Sequence, residues 1–227
     1  MSRRIRDMFN EIAHRYDFLN HALSFFRDFA WRRACCRNLS RRVPARSRVL
    51  DLCGGTGDFA LSFKKYAGET SLMAVGDFSE QMLLKAKEKS NAYFPVELDA
   101  GNIPFRDSSF DVVLNGFGMR NVSDISRALA EVHRVLARGG YFTTLEFFRP
   151  DNICNRFFYQ ILAPLFIPVA GAFFSGKKEA YVYLVNSIRN FISVSEYTKL
   201  AETFGFEKVA VKACDGGIAY QVLLRKK

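Results

Sequence analysis

The chain has 227 residues, of which 49% are hydrophobic and 23 are Phe, so it is long enough for one α/β domain with a full core and an aromatic-lined pocket. Its five Cys residues lack metal-ligand spacing and its Arg-rich start lacks the apolar core of a secretory signal, which excludes a cysteine metal site and predicts a reducing, cytoplasmic location. The formal net charge of +10 predicts an anionic partner, either a membrane surface rich in acidic lipid or a nucleic acid.

The first segment, residues 1–46, is rich in arginine, and we expect it to form an N-terminal helical cap over the substrate and cofactor. Three arginines lie at its start, Arg3, Arg4 and Arg6, and seven more lie close together farther along, at Arg32, Arg33, Arg37, Arg41, Arg42, Arg46 and Arg48. Such a cluster favours contact with acidic lipid, and a solvated basic face is the alternative.

Strands and helices alternate from residue 48 onward. The pattern predicts strands at 48–53, 72–76, 95–98, 110–114 and 141–146, with helices at 59–66, from a Ser79 cap to Lys89, and from a Ser123 cap to a stop at Gly139-Gly140. Because strands that alternate with helices form parallel sheets, ligands should bind outside the carboxyl ends of the strands.

The last part of the chain predicts a helix and a hairpin. A helix at 193–204 ends at Gly205, and strands at 208–213 and 218–224 flank Asp215-Gly216-Gly217. The predicted fold is therefore α/β and Rossmann-like: a seven-stranded, mostly parallel sheet with a C-terminal antiparallel hairpin and helices on both faces.

A glycine-rich turn follows the first strand, as Asp51-Leu52-Cys53-Gly54-Gly55-Thr56-Gly57-Asp58. Glycines let the backbone approach a ligand without interference from Cβ. Their spacing differs from the dinucleotide fingerprint, so a nucleoside without phosphate fits better. Asp77-Phe78 ends the second strand, where a carboxylate can accept hydrogen bonds from ribose hydroxyls.

Asp99-Ala100 follows the third strand. Its carboxylate and the next backbone N–H match the amino group and ring nitrogen of adenine. A loop cap is the alternative for Asp99.

These motifs, together with Ile103-Pro104-Phe105 and Phe110-Asp111, resemble the class I methyltransferase superfamily. Along nearly its whole length the chain resembles the menaquinone and ubiquinone biosynthesis C-methyltransferases. The segments that carry this narrower resemblance are Met8-Phe9, Ile12-Ala13, Arg15-Tyr16-Asp17, Asn20, Leu23-Ser24, Trp31, Phe117-Gly118-Met119-Arg120-Asn121, Arg134-Val135-Leu136, Glu146-Phe147, Glu179-Ala180-Tyr181, Tyr183-Leu184, Ser187-Ile188 and Gly216-Gly217-Ile218. The chain departs from the family at Asp28, Gly101 and Gly116, where His, Glu and Ser are usual.

The resemblance implies S-adenosylmethionine as the cofactor. The residues it assigns to cofactor binding are Asp51, Gly54, Gly55, Thr56, Gly57, Asp77, Phe78, Asp99, Ala100 and Gly116. It implies C-methylation of a prenylated quinol, from demethylmenaquinol to menaquinol, with a benzoquinol of the ubiquinone branch as the alternative substrate.

Methyl transfer to a ring carbon requires a quinol whose hydroxyl is deprotonated, and a cation near the forming phenolate. Arg120 is the candidate cation, and Tyr16 and Asn121 are candidates to orient a water that relays the proton. Guanidinium stays protonated at neutral pH, so Arg120 itself is a poor base. A structural ion pair for Arg120 and simple packing for Tyr16 are the alternatives.

Residues 148–192 are expected to form an apolar lid. An uncharged stretch at 157–174 is interrupted by Pro164 and Pro168, which argues against a transmembrane helix and favours a wall for an isoprenoid tail. An apolar subdomain core or a homodimer contact is the alternative. A basic start and an apolar lid predict an enzyme associated peripherally with the inner face of the membrane.

Two rival functions remain at this stage. The charge also suits a nucleic-acid methyltransferase, although no Asn-Pro-Pro-Tyr type loop is present. A non-catalytic scaffold that binds cofactor is the second rival, because a fold does not guarantee activity. His14, His21 and His133 show no metal-ligand spacing with carboxylates, so no metal is expected.

Overall fold

A computed structural model of the chain describes residues 3–13, 21, 24, 26–70, 72–150 and 178–227. The helices are α1 (Arg3–Ile12), α2 (Arg27–Ser40), α3 (Asp58–Ala67), α4 (Glu80–Lys89), α5 (Ile125–Val135), α6 (Lys178–Asn190) and α7 (Val194–Thr203). The strands are β1 (Arg48–Leu52), β2 (Leu72–Asp77), β3 (Phe94–Glu97), β4 (Phe110–Gly116), β5 (Leu136–Glu146), β6 (Phe206–Cys214) and β7 (Ala219–Lys226). Short 3₁₀ turns cover Met119–Asn121 and Asp215–Gly217.

All seven strands form one sheet in the order β3-β2-β1-β4-β5-β7-β6. The pairs from β3 to β5 are parallel, and β7 is antiparallel to both β5 and β6. The strand order reverses between β1 and β4, and ligands bind at such a switch point, outside the carboxyl ends of the strands. The predicted fold is confirmed, and it places the glycine-rich turn beside the loop after β4.

Hydrophobic side chains bury both faces of the sheet. One cluster joins the sheet to α5 and α7 through Leu129, Val132 and Tyr197, and a second joins it to α2 and α3 through Leu39 and Phe63. Burial of large apolar side chains is the main favourable contribution to folding. The sheet edge that carries the motifs is thereby held rigidly.

Two predicted boundaries around α5 are wrong. The N-cap is Asp124, not Ser123, because the Asp124 carboxylate accepts a hydrogen bond from the Arg127 backbone N–H at 3.0 Å. The helix ends at Val135, and Gly139-Gly140 lie inside β5, because Leu136 already pairs with Phe110 of β4. The tertiary pairing therefore overrides the glycine stop signal.

The apolar stretch at 157–174 lies outside the described residues. Within the described part of the chain, no helix is long and apolar enough to cross a membrane.

Candidate active site

The glycine-rich turn begins where β1 ends. Cys53, Gly55 and Gly57 have φ values of 53°, 56° and 81°, so the backbone turns sharply through the left-handed region. A Cβ on Gly54 would lie 2.9 Å from Cγ of Asp51 and 2.8 Å from a methyl carbon of Val75. The turn is therefore packed against the strand ends, and Gly54 has no room for a side chain.

Asp51 lies under this turn and is fully buried. One carboxylate oxygen accepts a hydrogen bond from the Ala60 N–H in α3 at 2.9 Å, and the other has no hydrogen-bond partner within the described ranges. Burial raises the pKa of Asp51 to about 7. Asp51 thus fixes the start of α3 and keeps one oxygen for a further donor.

Asp77 ends β2 next to the turn. Its carboxylate accepts hydrogen bonds from the backbone N–H groups of Gly55 and Ser79, both at 2.9 Å. Burial raises the pKa of Asp77 to about 6. A carboxylate oxygen can accept more than one hydrogen bond, so ribose hydroxyls can bind here while the turn stays in place.

Two other residues predicted to bind the cofactor have partners within the protein. Asp99 accepts a hydrogen bond from the Gly101 N–H at 2.7 Å, which is the loop-cap arrangement, and Ala100 beside it is buried. The Thr56 hydroxyl accepts a hydrogen bond from Nζ of Lys89 at 2.7 Å. Binding of a nucleoside would have to share or replace these contacts.

Gly116 has a steric reason to lack a side chain. A Cβ at this position would lie 2.9 Å from Cδ1 of Phe59. The Ser that the family usually has here would therefore require Phe59 to move.

A pocket that is open to solvent joins the turn to the loop after β4. Its lining residues are Phe9, Cys53, Gly55, Asp77, Phe78, Met82, Phe117, Gly118, Asn121 and Val122. Phe117, like Cys53, is a non-glycine residue with a positive φ, at 59°. Such strained residues cluster at functional sites, and these two follow the neighbouring strands β4 and β1.

Helix α1 covers this pocket from one side. The ring of Phe9 meets the ring of Phe78 edge to face, with centroids 6.0 Å apart. The Asn10 side chain accepts a hydrogen bond from the Ser79 hydroxyl at 2.6 Å. The described part of the N-terminal segment therefore contacts the residues next to the predicted ribose site.

Arg120 lies in the 3₁₀ turn after β4 and pairs with Glu146 at the end of β5. The N–O distance is 2.7 Å, and the side chains are 7% and 0% exposed. The guanidinium also donates to the Phe117 carbonyl at 2.5 Å and lies over the Phe147 ring. Its Nε–H is buried and has no hydrogen-bond partner among the residues that the structure describes. A buried cation therefore lies one position before Asn121, which lines the pocket.

Asn121, the next residue, lines the same pocket. Its amide oxygen accepts a hydrogen bond from the hydroxyl of Tyr183 in α6 at 2.9 Å. Burial raises the pKa of the Tyr183 phenol, so this hydroxyl keeps its proton and acts as a donor. Tyr183 therefore fixes the orientation of the Asn121 amide.

The whole arrangement has a match among known families. The model of the ubiE/COQ5 methyltransferase family matches residues 1–223. The chain belongs to this family. The chain is 35% identical to a demethylmenaquinone methyltransferase of Staphylococcus saprophyticus over 95% of its own length and 93% of that protein. It is 36% identical to one of Staphylococcus aureus, with 95% and 90% of the two chains covered.

Solved structures of other methyltransferases share the fold of this ubiE/COQ5 member. A complex of the Haloferax volcanii Trm112 methyltransferase activator with a methyltransferase matches with a TM-score of 0.70, 15% identity and 96% of each chain covered. A S-adenosylmethionine-dependent methyltransferase of Thermotoga maritima matches with a TM-score of 0.63, 20% identity and coverage of 93% and 97%. At these identities the likeness shows the fold alone.

The structure places four of the predicted site residues of this methyltransferase around one pocket. Gly55, Asp77, Phe78 and Asn121 line one pocket, and Arg120 lies next to Asn121. Tyr16 and most of the predicted lid, residues 151–177, lie outside the described residues. The roles of these residues in the ubiE/COQ5 member stay predictions.

Two residues that contact the candidate site residues were not predicted from the sequence to have a function. Glu146 and Tyr183 were noted only as parts of family-like segments. The available signal for Glu146 was its position at the end of the strand that neighbours β4. Tyr183 gave no such signal, because its contact with Asn121 joins residues 62 positions apart.

A charged cluster beside α2 was also missed. His21 Nδ1 lies 2.7 Å from the Asp28 carboxylate, and His21 Nε2 lies 3.6 Å from that of Asp58. Asp28 is buried and also pairs with Arg32. Within the described ranges, no group of three or more His, Cys, Asp or Glu residues is arranged to hold a metal ion.

Proposed function

We propose that the chain transfers a methyl group from S-adenosylmethionine to a ring carbon of reduced demethylmenaquinone, forming menaquinol. The observation that carries this proposal is the buried Nε–H of Arg120, which has no hydrogen-bond partner among the described residues and belongs to the residue before the pocket-lining Asn121. The substrate is inferred from the name of the two relatives, demethylmenaquinone methyltransferase.

The chemistry of the acceptor explains why such a donor is needed. A quinol ring carbon becomes nucleophilic when the neighbouring hydroxyl loses its proton, and negative charge then develops on that oxygen. A donor that is already oriented, and already withdrawn from water, stabilises this charge without reorganising. Arg120 Nε suits this role, because the Glu146 carboxylate and the Phe117 carbonyl both accept hydrogen bonds from Nη1 and so orient the guanidinium.

The residues at the strand ends suit the cofactor. When bound, S-adenosylmethionine supplies a methyl group carried by a positively charged sulfur. Asp77 would hold its ribose, and the Gly54–Gly57 turn would let its amino-acid end approach the backbone. The unpartnered oxygen of Asp51 and the close approach at Gly54 are the features that fit this group.

Asn121 and Tyr16 would orient the water that accepts the hydroxyl proton. The fixed amide of Asn121 supports this role, since its oxygen is held by Tyr183 at 2.9 Å and its side chain faces the pocket. The base itself is then water rather than Arg120, whose guanidinium stays protonated.

A prenylated substrate also requires access from a membrane. The residue 1–46 segment would cap the site, the residue 148–192 segment would enclose the isoprenoid tail, and the enzyme would associate peripherally with the inner face of the membrane. The basic charge of the N-terminal segment supports this part of the proposal. A homodimer contact through the lid stays a prediction.

The redox state of the acceptor gives a direct test. Labelled S-adenosylmethionine is incubated with a short-tailed demethylmenaquinone in detergent, either reduced or oxidised, and the lipid extract is counted. Label is expected only on the reduced form, and Arg120→Met is expected to lower the rate by about 10²–10³-fold while S-adenosylhomocysteine affinity stays unchanged. Arg106→Met, an exposed arginine elsewhere, is the matched control. Equal labelling by the wild type and Arg120→Met would overturn the role of Arg120.

A further inference from the structure

An aromatic tip stands at the start of helix α2. Phe26 and Phe29 are 57% and 48% exposed, although Phe is among the residues most often buried. Their rings are parallel, with centroids 6.5 Å apart. Phe26 also has a φ of 60°, which is uncommon for an aromatic residue and holds the ring in this position. The two exposed rings therefore have a defined arrangement on the surface.

The exposed face of α2 continues from this tip as a basic stripe. Arg33, Arg37 and Arg41 are exposed, and steps of three or four residues place them on the same face as Phe29. The single acidic residue of the helix, Asp28, is buried against His21, Ser24 and Arg32. The outward face thus combines two exposed Phe rings with arginines and no carboxylate.

The tip is held firmly and lies close to the site. The Asp215 carboxylate receives two hydrogen bonds from Arg27, at 2.6 and 2.7 Å, and one from Trp31 at 2.9 Å, which fixes α2 to the turn before β7. Trp31 in turn meets the ring of Phe117, a residue that lines the pocket, with centroids 6.3 Å apart.

We propose that this face of α2, named here the α2 face and comprising Phe26, Phe29, Arg33, Arg37 and Arg41, docks the enzyme on a bilayer that contains anionic lipid. Aromatic rings at the tip would enter the region between headgroups and acyl chains, and the arginines would contact lipid phosphates. The inference rests on the proposed function in one respect: the substrate reaches the site from a membrane.

A nucleic acid fits this face less well. Bases bind aromatic side chains by stacking on their faces, and each stacked base needs an open ring face. One face of Phe29 is already occupied by the His21 ring, with centroids 4.2 Å apart. The tip therefore presents an apolar protrusion rather than an open stacking platform.

Vesicle binding by the full chain tests the proposal. Sedimentation is measured with phosphatidylcholine vesicles that contain either no phosphatidylglycerol or about one third of it, at low and high salt. The wild type is expected to bind the anionic vesicles, Phe26→Ser/Phe29→Ser to bind them about tenfold or more weakly, and Arg33→Gln/Arg37→Gln to lose much of the salt dependence.

The controls change the same residue types elsewhere. Phe94→Ser alters another exposed Phe, and Arg106→Gln/Arg138→Gln removes the same charge from other exposed positions. Control variants that lose as much binding as the α2-face variants would overturn the proposal, and so would unchanged binding of the α2-face variants. Stronger retention of the wild type by single-stranded RNA than by the anionic vesicles would also overturn it.

The outcome can be separated from that of the proposed function. Turnover of a short-tailed quinol in detergent needs no bilayer, so the α2-face variants are expected to keep this activity within about twofold of the wild type. If detergent activity is absent in every variant while vesicle binding follows the prediction, the proposed substrate fails and the docking face stands. If the α2-face substitutions leave vesicle binding unchanged while activity in detergent is present, only the docking proposal is contradicted.

Discussion

The guanidinium of Arg120 and the carboxylate of Glu146 form a buried ion pair, at 2.7 Å, between the ends of the neighbouring strands β4 and β5. Glu146 also accepts the backbone N–H of Arg120 at 3.2 Å and that of Phe147 at 2.8 Å. The pair therefore fixes the loop after β4, and in the described part of the chain the Nε–H of Arg120 has no hydrogen-bond partner.

Removing one member of this pair should destabilise the protein more than removing both. Arg120→Met leaves a buried carboxylate without a counter-charge, and we expect the free energy of unfolding to fall by about 3–5 kcal/mol. Arg120→Met/Glu146→Gln removes both charges and should recover at least half of this loss. Urea unfolding of wild type, both single variants and the double variant gives the comparison. A double variant less stable than Arg120→Met would contradict the coupling.

The same variants separate stability from turnover. The double variant should bind S-adenosylhomocysteine as the wild type does, because neither residue lies at the ribose site, but it should remain inactive. Arg120→Lys, which keeps a charge without the planar fork, should retain part of the activity.

Asp77 should control cofactor affinity. Asp77→Asn replaces a charged acceptor with a neutral one, and we expect the affinity for S-adenosylhomocysteine to fall by about 1.5–3 kcal/mol, roughly 10- to 150-fold. Isothermal titration calorimetry measures this directly. Glu88→Gln, on the exposed side of α4, is the control and should bind normally. Equal affinity of the wild type and Asp77→Asn for S-adenosylhomocysteine would contradict the assignment of Asp77 to the ribose.

Cofactor binding should also depend on pH through Asp77. Because burial raises the pKa of Asp77 to about 6, the carboxyl is protonated below that pH and cannot accept hydrogen bonds as a carboxylate. About one tenth of Asp77 is ionised at pH 5, so the dissociation constant should be about tenfold higher than at pH 8. Asp51, with a pKa of about 7, titrates in the wild type and in Asp77→Asn alike. The part of the pH dependence that is present in the wild type and absent from Asp77→Asn is therefore due to Asp77.

The end of α5 offers a test of the fold that is independent of the site. Lys226 donates hydrogen bonds to the carbonyls of His133 at 2.6 Å and Leu136 at 2.7 Å, where the helix changes into β5. Lys226→Met should lower the free energy of unfolding by about 1–2 kcal/mol, because the carbonyls lose a charged donor. Lys227→Met, the exposed neighbour, should have no effect, and thermal unfolding distinguishes the two variants.

Much of the fold could be predicted because the alternation of apolar runs and glycine-rich turns is local. The glycine turn and Asp77 follow consecutive strands, so their meeting at the sheet edge required only the parallel topology. The wrong stop at Gly139-Gly140 shows the limit, because pairing of Leu136 with Phe110 depends on contacts distant in the sequence.

The partners of the catalytic candidates could not be predicted from the sequence, for the same reason. The contacts of Arg120 with Glu146 and of Asn121 with Tyr183 join different elements, and no periodicity marks them. The exposure of Phe26 and Phe29 could not be predicted either, because a Phe-rich sequence does not indicate which rings remain on the surface.

The most direct test of the central proposal is a competition between two acceptors. Reduced demethylmenaquinone and a reduced benzoquinone precursor that lacks the same methyl group are mixed in equal amounts with the enzyme and methyl-labelled S-adenosylmethionine, and the extracted lipids are resolved by mass spectrometry. The account predicts label on a ring carbon of the naphthoquinol, in excess over the benzoquinol. Label on the benzoquinol alone, or on neither lipid despite normal cofactor binding, would contradict it.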